Sequence, residues 1–196
     1  MRASLSLLSA RRLLCQAAVL LLWAPLMVSA QCTEAIAATD QLQALTGAES
    51  TARDALATVR RNAQDWKNLL LRGRDPAERL TMQARFDAQA QAYEARLVQL
   101  RMQLSQLGLG LERIDTLQSE RAAMLGRYRE VLARHGVATL EAAAAADRDA
   151  QGVDVTTFRI LEQLIDAASD QTKAQFQTLR AAIASCSAST PRKEGT

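Results

Sequence analysis

Residues 55–86 read ALATVRRNAQDWKNLLLRGRDPAERLTMQARF, and their spacing decides the fold. Leu56, Val59, Ala63, Trp66 and Leu70 recur in steps of three and four, the apolar stripe of a long helix. The stripe stops at Gly73. Asp75 and Pro76 then supply an N-cap and a first helical residue, and Glu78 lies three residues after Asp75, as in a capping box. Met82 and Phe86 resume the rhythm. The stretch predicts two long helices joined by a tight corner, which makes them antiparallel neighbours.

The same rhythm extends outward in both directions. Leu45 and Ala52 continue the first stripe upstream, with Glu49 as a polar exception. Tyr93, Leu97, Leu100, Leu104 and Leu107 continue the second. Ile114, Leu117, Met124, Tyr128 and Val131 form a third, with Arg121 in its gap. Leu161, Ile165, Ala168, Thr172, Phe176, Leu179, Ile183 and Cys186 form a fourth. Breaks fall at Gly108–Leu109–Gly110 and at His135–Gly136. A connection from Val137 to Val155 carries a short alanine-rich helix and then Gly152–Val153–Asp154. The expected fold is all-α, an elongated antiparallel up-down four-helix bundle. Its first helix, roughly Cys32 to Arg72, would run about 60 Å at 1.5 Å per residue, leaving residues 66–75 at the far tip. Gly47 interrupts that helix and is expected to weaken it.

Residues 1–30 read as a targeting segment. Arg2, Arg11 and Arg12 precede an apolar run from Leu13 to Val28, and Val28–Ser29–Ala30 suits cleavage after Ala30. The alternative is an uncleaved anchor. The full chain has 24 Lys+Arg and 21 Asp+Glu. Removing the leader takes three Arg and no acids, leaving 21 of each and a neutral mature chain. No basic surface then remains for nucleic acid. The domain is expected to span residues 31–187, with a polar tail over 188–196. Of the three cysteines, Cys15 leaves with the leader. Cys32 and Cys186 remain, and four antiparallel helices return them to one end, so a disulfide in an exporting, oxidising compartment is expected. Two free thiols, or lipidation of Cys32, are the alternatives.

Catalytic and metal signatures are scarce. A single histidine, His135, gives zinc no ligand set, and its plain reading is a solvent-facing helix end. No C-x-x-C-H, P-loop, G-x-S-x-G or strand-borne G-x-G-x-x-G occurs. Asp147 and Asp149 lie among alanines, where a solvated helix face is the simplest reading. No cofactor is implied. Glu49 and Arg121 fall on apolar stripes and would matter only in a helical exported enzyme, such as a mutase holding a dianion with inward cations.

The tip run has a further association. QDWKNLLLRGRDP, residues 64–76, resembles a motif in the periplasmic sensory domains of bacterial methyl-accepting chemotaxis proteins, whose first long helix closes with a W-K-N-x-L-L-R-G-x-D-like run. Trp66, Lys67, Asn68, Leu70, Leu71, Arg72, Gly73 and Asp75 stand at matching places. ADRDAQGVDVTTFRILEQLID, residues 146–166, resembles the opening of the last sensory helix, with its G-x-D step at Gly152 and Asp154. The resemblance implies a four-helix sensory bundle that binds a small molecule, between helices or across a homodimer seam, and does no chemistry. Such receptors carry a second membrane span and a signalling coiled coil. Nothing after Cys186 could span a bilayer, so a free-standing periplasmic or secreted sensory domain is expected. Trp66, Lys67, Asn68, Arg72 and Asp75 are the candidate tip site. Trp66 also has a plain reading as a core residue, and the others as a charged helix corner. The competing function is a structural or adaptor bundle that docks on a membrane protein.

Overall fold

The computed structural model describes the backbone of residues 6–189 and the side chains of residues 32–188. The whole of the expected leader, residues 1–30, and the polar tail beyond residue 188 therefore lie outside the residues whose side chains are described. Among the described residues there are five helices and no strand. They are α1 (Ser6–Arg72), α2 (Pro76–Gln106), α3 (Glu112–His135), α4 (Leu140–Asp149) and α5 (Val155–Ser189). The first begins upstream of the expected Cys32. Among the described residues no helix is long and apolar enough to cross a membrane.

The α1–α2 corner forms by two devices. Asp75, with extended backbone, accepts hydrogen bonds from the Ala77 and Glu78 amides at 2.7 and 3.1 Å, and Pro76 takes the first helical position. The cap is one-sided. The Asp75 amide donates to the Arg72 carbonyl at 3.2 Å, so it does not call on the Glu78 carboxylate expected to complete the box. Gly73 is buried, and a β-carbon there would lie 2.6 Å from the Val137 Cγ2 and hard against the Leu69 carbonyl. Its φ is not among the positive ones, so this glycine is required by close approach rather than by a left-handed turn. The end of α2 does use the left-handed conformation. Gly108 has φ 66°, its amide donates to Ser105 O, and the Leu109 amide reaches back to Leu104 O at 2.9 Å. That pair of bonds is a Schellman motif.

The chain divides into two compact units, residues 43–172 and residues 1–42 with 173–196. The larger unit holds nearly all the core. Val59, Leu69, Tyr93, Leu97, Leu100, Ile114, Leu117, Val131, Val137 and Leu161 are each 2% exposed or less, and they come from α1, α2, α3, α5 and the α3–α4 connection. Full burial of one such aliphatic side chain stabilises by about 1.5–3 kcal/mol. Where α1 carries small residues, Ala48, Ala52 and Ala55, it too is closed to solvent.

In the smaller unit the side chains described belong to α1 and α5 alone. Cys32 and Cys186 form a disulfide with Cα atoms 5.1 Å apart, as their return to one end implied. Ala38 is buried, and its carbonyl accepts a hydrogen bond from Gln175 Nε2 at 3.3 Å. The expected apolar stripe is not buried here. Phe176 is 48% and Ile183 50% exposed, and Ile36 is 64% exposed. The spacing is helical, but two described helices cannot cover both faces of a heptad stripe.

Two stability predictions follow from these local structures. Gly126 lies in the interior of α3, and a β-carbon there would meet nothing within 4 Å. Gly126→Ala is expected to raise unfolding stability by about 0.5–1 kcal/mol in denaturant titration, through helix propensity alone. The disulfide closes a span of 154 residues. Cys32→Ser/Cys186→Ser is expected to lose about 2–5 kcal/mol under non-reducing conditions, and dithiothreitol should reproduce that loss in the native protein.

Candidate functional site

Three aromatic side chains meet inside the larger unit. Trp66 of α1, Phe86 of α2 and Tyr128 of α3 are 2%, 5% and 3% exposed. The Trp66 and Tyr128 rings have centroids 4.7 Å apart at 36°, and Phe86 meets Tyr128 edge-on at 5.5 Å and 89°. Each such pair adds about 0.5–1.5 kcal/mol beyond area burial. Their level follows from the corner: Trp66 and Phe86 stand ten residues either side of Pro76, so an antiparallel pair brings them together. One turn before Trp66, Asn62 is buried and donates through Nδ2 to the Phe86 carbonyl at 2.8 Å, which pins α1 to α2 at this height. Burial raises the Tyr128 phenol well above its ordinary pKa, with the Asp154 and Asp147 carboxylates adding to the effect, so the ring stays neutral.

The trio walls one end of a cleft along the α2–α3 seam. A cavity of about 160 Å³ lies among Trp66, Leu69, Gln83, Phe86, Tyr128 and Leu132, with Asp87 and Arg129 at its edge. A wider groove of about 520 Å³ adjoins it, sharing Asp87 and Arg129 and continuing past Gln91, Arg121 and Gly126. The Arg129 Nη2 reaches Asp87 Oδ1 at 3.7 Å, and the Arg129 side chain is 66% exposed. Arg121 is more firmly held: Nη1 is 2.9 Å from Glu94 Oε2 and Nη2 donates to the Ala90 carbonyl at 3.1 Å. Its Nε and the Trp66 indole N–H are buried without a hydrogen-bond partner. Tyr93, beside Arg121, has its phenol pKa raised by burial, an effect the guanidinium partly opposes.

The tip residues do not converge on one site. Trp66 is inside the core. Lys67 pairs with Asp147 of α4, Asn68 is half-buried, Arg72 is exposed in the last turn of α1, and Asp75 is spent as the α2 cap. A shallower depression of about 260 Å³ lies by Lys67, Leu70, Leu71 and Leu140, with Leu71 66% and Leu140 60% exposed. Phe86, Tyr128, Asp87 and Arg129, which build the seam, were not singled out as site residues by the sequence. The equal distances of Trp66 and Phe86 from Pro76 were the available signal.

One expectation about the single histidine is corrected. His135 is half-buried rather than solvent-facing, with Nε2 2.8 Å from Asp149 Oδ2. Arg134 Nη1 approaches the same carboxylate oxygen at 3.3 Å, and Arg127 Nη2 reaches the Asp149 carbonyl at 3.5 Å. Asp147 and Asp149 keep solvent-exposed side chains, as expected, and from there pair with Lys67 of α1 and with Arg134 and His135 of α3. Among the described residues no group of three His, Cys, Asp or Glu side chains could hold a metal ion. Glu49, the polar exception on the first stripe, pairs with Arg53 one turn on at 2.6 Å.

The His135 hydrogen bond, reinforced by the neighbouring positive charges, holds the Asp149 carboxyl below its ordinary pKa of 3.8. A carboxyl depressed in the folded state stabilises above its ordinary value and loses that contribution as pH falls through the lower one. Asp149→Asn is therefore expected to destabilise the protein at about pH 5, above the carboxyl's ordinary value. The gap from the native protein should close progressively below pH 3.8, measured as denaturant midpoints across pH. A gap unchanged down to pH 2 would remove the pair from the stability of this corner.

A scan of protein-family models finds no match to the chain, and comparisons with curated proteins and with solved structures find none either.

Proposed function

We propose that the chain is an exported, non-catalytic binding protein of the chemoreceptor sensory type, whose helices form an antiparallel up-down four-helix bundle. In this reading residues 1–30 direct export and are removed after Ala30, and the domain works in the periplasm or outside the cell. It takes a small molecule in the α2–α3 seam. Three things support the reading: the W-K-N-x-L-L-R-G-x-D-like run at the α1–α2 corner, the long amphipathic helices, and a disulfide of the kind that oxidising compartments favour. The observation that carries it is the seam. A chain only 4% aromatic assembles three aromatic rings at one cavity and sets an exposed arginine at its edge. Ligand sites combine apolar walls with a few polar groups in this way.

A second reading has its own observation. Ile36, Phe176 and Ile183 leave apolar surface open in the disulfide-bonded unit, which suits an adaptor that docks on a membrane protein.

Thermal shift of the purified protein against a panel of small metabolites tests the choice. A ligand at a hundred times its Kd stabilises by about 2.7 kcal/mol, several degrees in Tm. At least one compound is expected to do this, and Gly126→Trp, which fills the wider groove from an exposed position on α3, should abolish the shift. If no compound shifts Tm while Phe176→Asp removes capture from membrane extracts, the adaptor reading replaces the sensory one.

A further inference from the structure

Resting on the small-molecule reading above, we infer that the seam takes a carboxylic acid built on a single ring. The ring lies in the Trp66–Phe86–Tyr128 cavity, and the carboxylate is held by Arg129.

Size, wall chemistry and charge point the same way. A cavity of about 160 Å³ is close to the ~150 Å³ of an engineered apolar cavity that admits one benzene molecule, so one six-membered ring fits. Its walls are the faces and edges of three aromatic side chains with Leu69 and Leu132, surfaces that reward a flat apolar body more than a hydrated one. Its polar lining residues are the more open ones, Gln83 and Arg129 exposed and Asp87 half-buried, whereas Trp66, Leu69, Phe86 and Tyr128 are buried. The ligand is therefore amphipathic, apolar inside and polar at the rim.

The sign of its charge follows from how the rim groups are already used. Arg121 is committed to Glu94 and to the Ala90 carbonyl. Arg129 touches Asp87 through one nitrogen at 3.7 Å, beyond ordinary hydrogen-bond length, and its side chain is largely exposed. A ligand carboxylate can replace that single long contact with two parallel charge-assisted hydrogen bonds. An ammonium group would have Asp87 as its partner but would face the Arg129 guanidinium, which lines the same cavity. A neutral hydroxyl would gain the ring burial and forgo the paired bonds.

The test is calorimetric titration of the purified protein with benzoate, benzyl alcohol and benzylamine. Benzoate is expected to bind at least tenfold more tightly than benzyl alcohol, and benzylamine to give no heat of binding. Arg129→Gln should weaken benzoate at least tenfold and leave benzyl alcohol unchanged. Gln83→Trp, a change at an exposed rim position, should abolish binding of both with Tm retained. Benzyl alcohol binding as tightly as benzoate, or Arg129→Gln leaving benzoate unaffected, overturns the carboxylate assignment while the small-molecule reading stands. So does a failure of all three probes when some other metabolite stabilises the protein through the seam. Failure of the three probes together with a silent metabolite panel overturns both.

Discussion

The need to cover one face of α1 governs the larger unit. That helix carries Ala48, Ala52, Ala55, Val59, Trp66, Leu69 and Leu70 on a single stripe, all of them buried. A stripe of that width cannot be closed by one neighbour. Side chains of α2, α3 and α5 meet it, and the polar contacts that fix their heights are few: Asn62 to the Phe86 carbonyl, Arg60 to Glu162, Lys67 to Asp147. Only the first of these is buried. The exposed ion pairs each contribute little, so hydrophobic cover holds the helices together and the buried amide sets their register.

Small residues shape where the seam opens. Along α1 the alanines let neighbouring helices approach closely. Around Trp66 the side chains are large, and three rings meeting at tilted and perpendicular angles do not fill space as evenly as interdigitated aliphatics. The cavity lies where rings replace alanines. The groove beside it widens at Ala122 and Gly126, positions on α3 too small to reach α2. Packing that stabilises the core and space that can receive a ligand thus arise from the same change in side-chain size along the helices.

Much of the architecture could be read from sequence because helical periodicity is a local property. The stripes located α2, α3 and the start of α5, and Gly73, Asp75–Pro76, Gly108 and Gly136 marked their ends. What escaped depended on which element lies across from which. Phe176 and Ile183 fit the rhythm but have no described helix to bury them. His135 and Asp149 look like solvated helix ends until α4 folds back and joins them. Gly73 looks like a left-handed cap, yet it is a contact point for Val137, 64 residues away in sequence. The tip run drew attention to Trp66, which lies in the core as its plain reading had it. Its equal distance from Pro76 could have placed Phe86 beside it, but Tyr128 and Arg129 lie on α3, and nothing local marks them as its neighbours.

The bond between Cys32 and Cys186 has a bearing on how the protein is made. A ribosome produces the first sulfur 154 residues before the second. The bridge can close only after every residue from 32 to 186 has been made. A product that stops short of Cys186 keeps Cys32 without this partner and is chemically distinguishable from one that reaches it. Oxidation thereby marks that both outer helices of the fold have been synthesised.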